Sequence, residues 1–411
     1  TRKVGDDRRS DKVLLPLLPT LAKPPAVLKD QEQAALFGNK GPGWAECVAW
    51  AQGETQKKLL DTLKTITRDD NDPQKSFGFG LPYGIDATDP DLVASEMYVD
   101  LGDQGTLAAA KFLYLDELEQ LGMLVHVEAS RRLEAGDGGG ALEIMKEWLF
   151  FCRQMADRPF LKEKLFGMQS MLLALQRISD IAYTDFRSAK RVFAPSTLVN
   201  MVGLLRDRSL YIDRIRLPEA DFIAREQLIS KVITNKGGPN PATFASTMAR
   251  IAAVDRPLRL FSSAAYWERA RAGHAGWYDC QTAISGLKSD WETRWKLPPF
   301  DMLHSRRTYY RDKIEGRPRL AVAGMGMGQI EDLFPLRRQI DVEQAGTRMG
   351  LACYAYFLRE KTLPPVLASV RGPNFTRVID IDPYSSTNRE LQYFRPVTDT
   401  PKDRNGNDLP F

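Results

Sequence analysis

The residues best suited to chemistry in this chain are carboxylates. Asp380 and Asp382, followed by Asp399 and the tail Asp403-Arg-Asn405-Gly-Asn407-Asp408, form an oxygen-rich series of the kind that holds a hard cation such as calcium. The glycine of the tail is misplaced for an EF-hand loop and no glutamate closes it, so a solvated turn is the ordinary reading. Glu143 and Glu147, one helical turn apart, and Asp382 are the groups that a hydrolase would use as acid and base in a cleft between a helical body and a C-terminal piece.

The other reactive side chains are not gathered. His126, His274 and His304 have no partner at metal-ligand spacing. His126 falls on an apolar helix face, where a hydrogen-bonded core histidine is expected. No serine or cysteine is nominated as a nucleophile. Gly324-Met-Gly326-Met-Gly328 follows Leu320-Ala-Val-Ala323, but its Gly-x-Gly-x-Gly spacing differs from the dinucleotide fingerprint and predicts a connector ahead of an Arg337 helix. The four cysteines, Cys47, Cys152, Cys280 and Cys353, stand 73 residues or more apart and contain no Cys-x-x-Cys pair. That spacing excludes zinc ribbons and thioredoxin-type motifs, leaving buried inert thiols as the expectation and one long-range disulfide open.

Contact residues are easier to nominate than catalytic ones. Leu14 and Leu17 sit in a proline-punctuated arm, Leu14-Leu-Pro16-Leu-Leu-Pro19, expected to be extended and to lie on its own domain or on a partner. Phe77, Phe79 and Tyr83 belong to the glycine-rich loop Phe77-Gly-Phe79-Gly80-Leu-Pro82-Tyr83-Gly84, which is expected to fold over the core and is the natural lining of a small-ligand pocket. Trp44 is one of seven tryptophans, a residue type that anchors interfaces as readily as it fills cores.

The elements that position these residues read as helices. A chain of 411 residues with 43% apolar content has ample material for a core. Leu107, Phe112, Leu115, Leu118 and Leu124 carry helical periodicity; the glycines after Leu133 break it, Ala141 to Met155 resumes it, and a third helix spans Leu161 to Tyr183. Trp44 to Gln52, Thr55 to Ile66, Pro195 to Leu205, Pro218 to Thr234, Ala242 to Ala253, Thr282 to Lys296 and Asp301 to Lys313 are further helices, the second of these stopped by Asp69-Asp-Asn-Asp72-Pro73. Val378-Ile-Asp-Ile381 and Leu391-Gln-Tyr393-Phe394 are expected to pair as a small hairpin. The predicted fold is mainly α, an irregular multi-helix body with a small C-terminal α+β piece. Three spans follow: 1–100 with the arm and first helices, 101–330 as the helical body, and 331–411 as a long helix plus the β piece.

Charge narrows the partners. The 57 basic and 53 acidic residues are interspersed and leave a net charge of +4, too diffuse a field to favour nucleic acid. No run reaches the about 18 apolar residues that a membrane-spanning helix requires. The first residue is Thr1 rather than Met, as expected either after removal of a leader or anchor or where the sequence simply starts downstream of the natural first residue.

Two resemblances add to this. Leu133-Glu-Ala-Gly136-Asp137, with Ala129 before it and Ala141-Leu142 after it, resembles the helix-turn-helix seam of a tetratricopeptide repeat, with Gly138 where the usual aromatic stands. The run Glu343-Gln-Ala345-Gly-Thr-Arg348 through Tyr354-Ala-Tyr356-Phe357 to Leu363-Pro364, followed by Asp382-Pro383-Tyr384-Ser385-Ser386 and Leu391-Gln-Tyr393, is similar to the closing helix and box of type II secretion pseudopilins. The box is two residues longer here and lacks the glycine and second proline. The same pair closes a group of exported, mostly uncharacterised helical proteins of planctomycete bacteria, and the wider chain resembles them through the Glu-Ala-Gly-Asp hairpin and the Phe79-Gly80-Leu81-Pro82-Tyr83 loop. That resemblance implies an exported helical protein, in a periplasm or the lumen of an internal compartment, without assigned catalysis or cofactor. The expectation is therefore a non-enzymatic assembly subunit that docks onto other protein subunits of a larger complex or filament. A carboxylate hydrolase and a small-ligand binder remain the alternatives.

Overall fold

Three long helices in succession form the body, and each boundary has a residue-level cause. α6 (Leu115–Glu134) ends where Gly136 takes φ +83°, a conformation that glycine adopts without strain. α7 (Gly138–Ala156) starts under Asp137, whose carboxylate accepts from Gly140 N at 2.8 Å. α8 (Leu161–Arg187) begins after the Asp157-Arg158-Pro159 stop. Its first amide finds a cap from elsewhere in the chain, since Leu161 N donates to Asp221 Oδ2 at 2.7 Å.

The computed structural model describes residues 4–36, 41–67, 77–102, 106–234, 237–254, 257–306, 309–315, 317–325 and 328–393. Ahead of the body lie α1 (Ser10–Leu14), α2 (Gln31–Leu36), α3 (Trp44–Ala51), α4 (Glu54–Ile66) and α5 (Pro90–Ala94). An antiparallel pair, β1 (Val99–Asp100) with β2 (Lys111–Phe112), sets Val99 opposite Phe112. Beyond the body come α9 (Pro195–Leu204), α10 (Glu219–Val232), α11 (Phe244–Ala252), α12 (Leu260–Gly273), α13 (Trp277–Lys296), α14 (Tyr309–Ile314), α15 (Ala321–Gly324) and α16 (Leu333–Glu360). The protein is mainly helical, as the periodicity predicts, and its apolar core runs without a break from Leu14 to Ile379.

α16 ties the C-terminal region to the body. Its Tyr354 hydroxyl donates to Asp185 Oδ2 at 2.5 Å, and Thr347 Oγ1 meets Ser179 Oγ at 2.8 Å, both partners lying on α8. Gln344 Nε2 reaches Leu205 O, just past α9, at 2.8 Å.

Several expectations need correction. The helix expected from Leu107 starts only at Leu115, because Thr106 caps a single 3-10 turn at Leu107–Ala109 and Lys111–Phe112 is claimed by β1. The arm is not extended: α1 and a 3-10 turn at Leu15–Thr20 coil it, and Leu14, Leu15 and Leu18 are fully buried. Prolines suit such short turns because few of their amides need an intrahelical partner. α12 lacks a clear helical pattern in the sequence, since Ser262-Ser-Ala-Ala265 dilutes its apolar stripe and only Trp267 and Ala270 of the helix are buried. Asp301 to Lys313 is not one helix but a 3-10 turn, Met302–Ser305, followed by α14.

At the C-terminus the expected hairpin reduces to one antiparallel bridge, Ile381 with Glu390, among the described residues. Ile379 and Asp380 are buried while Val378 and Ile381 are exposed, so only part of the segment packs on the core. Phe394, Asp399 and the Asp403–Asp408 tail lie outside the described residues, as does the Asp69–Pro73 stop.

Candidate functional site

A group of buried ionisable side chains sits where α7 passes into α8. Glu163, in the first turn of α8 and fully buried, accepts from Tyr83 Oη at 2.6 Å, from Arg158 Nε at 2.9 Å and from the Tyr114 hydroxyl. Arg158 spends its remaining nitrogens on the loop carbonyls of Leu81, at 2.7 Å, and Phe79, at 3.4 Å. Its guanidinium also lies over the Tyr83 ring, 4.8 Å from the centroid. Burial and then the Glu163 charge push both tyrosine hydroxyls well above their usual range. Beside them burial lowers Lys164 to about 8, and its Nζ donates to Ala156 O at the C-terminal end of α7. Burial likewise raises Asp221, the carboxylate that caps α8, to about 6.

Perturbed groups in one place are the usual mark of catalysis. Here each has an internal partner, and Glu163 and Lys164 are 0% and 1% exposed, which leaves no room for a substrate at either group. What the arrangement does is mechanical: a carboxylate and a guanidinium staple the loop 77–83 onto the body. Phe79 completes the closure, stacked 5.5 Å from Tyr114 and edge-on to Phe151.

The nominated contact residues consequently lie inward. Leu14 is fully buried, Leu17 packs against the core, and Phe79 is 6% exposed. Phe77 and Tyr83 are half-buried, with Arg8 over the Phe77 ring at 5.5 Å. Trp44 Nε1 donates to Glu134 Oε2 at 3.0 Å, joining α3 to the end of α6. The arm and loop hold this chain's own body together, so they are not free to meet a partner in the conformation described.

Asp380 faces two guanidinium groups. Arg206 contributes bonds of 3.1 and 2.9 Å and Arg348 two of 3.0 Å, so both oxygens are bonded twice. Asp382 forms a local turn, its Oδ1 accepting from Tyr384 N at 2.9 Å. Among the described residues no cluster of three or more His, Cys, Asp or Glu side chains with metal-holding geometry occurs. The pair nominated for calcium thus comprises one carboxylate clasping α16 to the segment after α9 and one closing a surface turn.

Of the hydrolase carboxylates, two are neighbours on α7 and the third lies apart. Glu143 pairs with Lys146 on α7, while burial and the Glu143 charge raise Glu147 to about 7. Asp382 belongs to the clasp region and joins neither. His274 is satisfied at both ring nitrogens: Nδ1 donates to Ala275 O at 2.9 Å and Nε2 accepts from Val322 N at 3.2 Å. His126 is fully buried with neither ring nitrogen hydrogen-bonded, contrary to the expectation of a satisfied core residue. All four cysteines are free thiols, and burial pushes Cys280 and Cys353 up to about 12.

Sequence reasoning missed the surface that remains open. One face of α10 carries Ile223, Glu226, Gln227 and Ser230, spaced as a single exposed helical stripe, and opposite it on α13 stand Trp277 and Gln281. Together they line a shallow groove of ≈ 700 Å³. Trp277 is 36% and Ile223 42% exposed, and the adjacent Tyr278 is 75% exposed. The Trp277-Tyr278 pair directly after Gly276 is the only signal in the sequence that could have marked it.

Comparison with family models, curated proteins and solved structures finds no match to this chain.

Proposed function

We propose that this protein is a non-enzymatic assembly subunit whose α10–α13 groove receives a helix of a partner subunit. The carrying observation is Trp277 facing Ile223 across a groove whose rim is polar. Aromatic anchors within a hydrophilic rim are the usual anatomy of a non-obligate protein interface. A groove walled by two helices suits an amphipathic helix, which would set apolar side chains against Trp277 and Ile223 and polar ones against Glu226 and Gln281. The reading is also favoured by the ionisable cluster at the α7–α8 joint, whose members are paired with one another and with loop carbonyls. An exported setting, within a larger complex or filament, rests on the pseudopilin-like resemblance alone.

The test is isolation of the natural complex with wild-type chain and with Ile223→Asp and Trp277→Asp variants of unchanged circular dichroism. A subunit that accompanies the wild type in fixed stoichiometry and is lost from both variants is expected. A wild-type monomer, or a partner retained by both variants, would sink the proposal.

A further inference from the structure

A second, independent feature lies where the 3-10 turn at Met302–Ser305, α14 and the start of α16 meet α13. There a cavity of ≈ 240 Å³ is lined by Arg294, Arg306, Arg311 and Arg338 together with His304 and Glu331, on aromatic walls supplied by Trp291 and Phe334. Four guanidinium groups in one small cavity repel one another unless anions balance them.

The balance is incomplete. Arg294 is neutralised by Asp290, 2.7 Å from its Nε, and its Nη1 is spent on the carbonyls of Leu303 and Arg306. Arg311 is neutralised by Glu331 and Glu315, and Glu331 is held in place by Trp291 Nε1 at 3.2 Å. Arg306 and Arg338 have no carboxylate within ion-pair distance among the described residues. Burial and then the Arg338 charge lower the His304 pKa, and its Nε2 donates to Pro298 O at 3.1 Å. Two of the four arginines that line the cavity are therefore without a carboxylate partner among the described residues.

We propose that this cavity binds a phosphate monoester. Such a group carries about −1.5 to −2 charges at neutral pH and can bond to Arg306 and Arg338 together. Its tetrahedral oxygens accept paired N–H donors in the geometry that arginine presents. Phe334, half-buried at the cavity, offers apolar surface to the group that bears the phosphate.

Calorimetric titration of the whole chain at low salt, with phenyl phosphate and separately with inorganic phosphate, tests this. Saturable binding of phenyl phosphate is expected, weaker by about tenfold or more in Arg306→Gln and in Arg338→Gln, as loss of a charged hydrogen-bond pair implies. Arg319→Gln, which alters only the exposed pair with Asp279, is expected to bind normally. Because both cavity arginines retain solvent exposure, the variants should keep the wild-type circular dichroism. Absence of saturable binding, equal binding by the Arg306→Gln/Arg338→Gln double variant, or binding of inorganic phosphate only would overturn the assignment.

Discussion

Arg158 Nε and Glu163 Oε1 lie 2.9 Å apart with side chains 5% and 0% exposed, an ion pair formed inside the protein. Taking such charges out of water is costly, and breaking the pair from one side leaves the other charge uncompensated. Glu163→Leu is therefore expected to cost about 3–5 kcal/mol in urea unfolding. Removing both charges in Arg158→Met/Glu163→Leu should cost less than the single change. A double variant less stable than Glu163→Leu would mean that the pair is not the unit described.

His126 is a polar ring with no hydrogen bond in the core of α6, and burial followed by the Arg177 charge lowers its pKa from 6.5 to about 3. Between those values the unfolded chain binds a proton that the folded one refuses. This component of stability is complete above pH 6.5 and is lost as pH falls toward 3. His126→Leu should flatten that part of the pH profile and raise stability at neutral pH by about 1 kcal/mol, since an unsatisfied buried group is removed. A variant as acid-sensitive as the wild type would refute this.

Glu147 has the opposite sign. Its folded pKa of about 7 exceeds the ordinary 4.5, so the folded state keeps a proton that the unfolded state releases, and stability declines as pH rises through that window. Glu147→Gln should match the wild type at about pH 4 and exceed it by about 1–3 kcal/mol at about pH 8. Thermal melts at the two pH values give the comparison, and equal melting differences would count against it.

Gly167 marks a close approach of α8 to α7. A methyl group there would stand 2.4 Å from Ala156 N and 2.7 Å from Cys152 O, both backbone atoms of a packed helix. Gly167→Ala should cost about 3 kcal/mol, at the upper end of ordinary overpacking because neither neighbour can rotate away. A change below about 0.5 kcal/mol would show that the helices separate easily.

Much of the helical body was legible in the sequence. The glycines around Gly136 and the Asp157-Arg158-Pro159 stop announce the ends of α6 and α7, and α4 shows its buried side as Leu59, Leu60, Leu63 and Ile66. What could not be read depends on residues distant along the chain. The cap on α8 is Asp221, sixty residues later, and the partner of Asp380 on α9's trailing segment is Arg206. Leu14 and Phe79 look like interface residues in isolation because their burial depends on α4, α6 and α7 folding around them. The basic cavity is drawn from residues 291–338 across α13, α14, α16 and the turns between them, so no local spacing could announce it.

The interior position of the arm bears on how the chain leaves the ribosome. Ser10 Oγ donates to Gln154 Oε1 at 2.7 Å across 144 residues of sequence. At about 5–20 residues per second, Leu14, Leu15 and Leu18 wait roughly 7–30 s before their cradle has been synthesised. During that interval they are an apolar segment without shelter, and the segment's prolines, poor strand formers, protect the nascent chain from sticking to its neighbours.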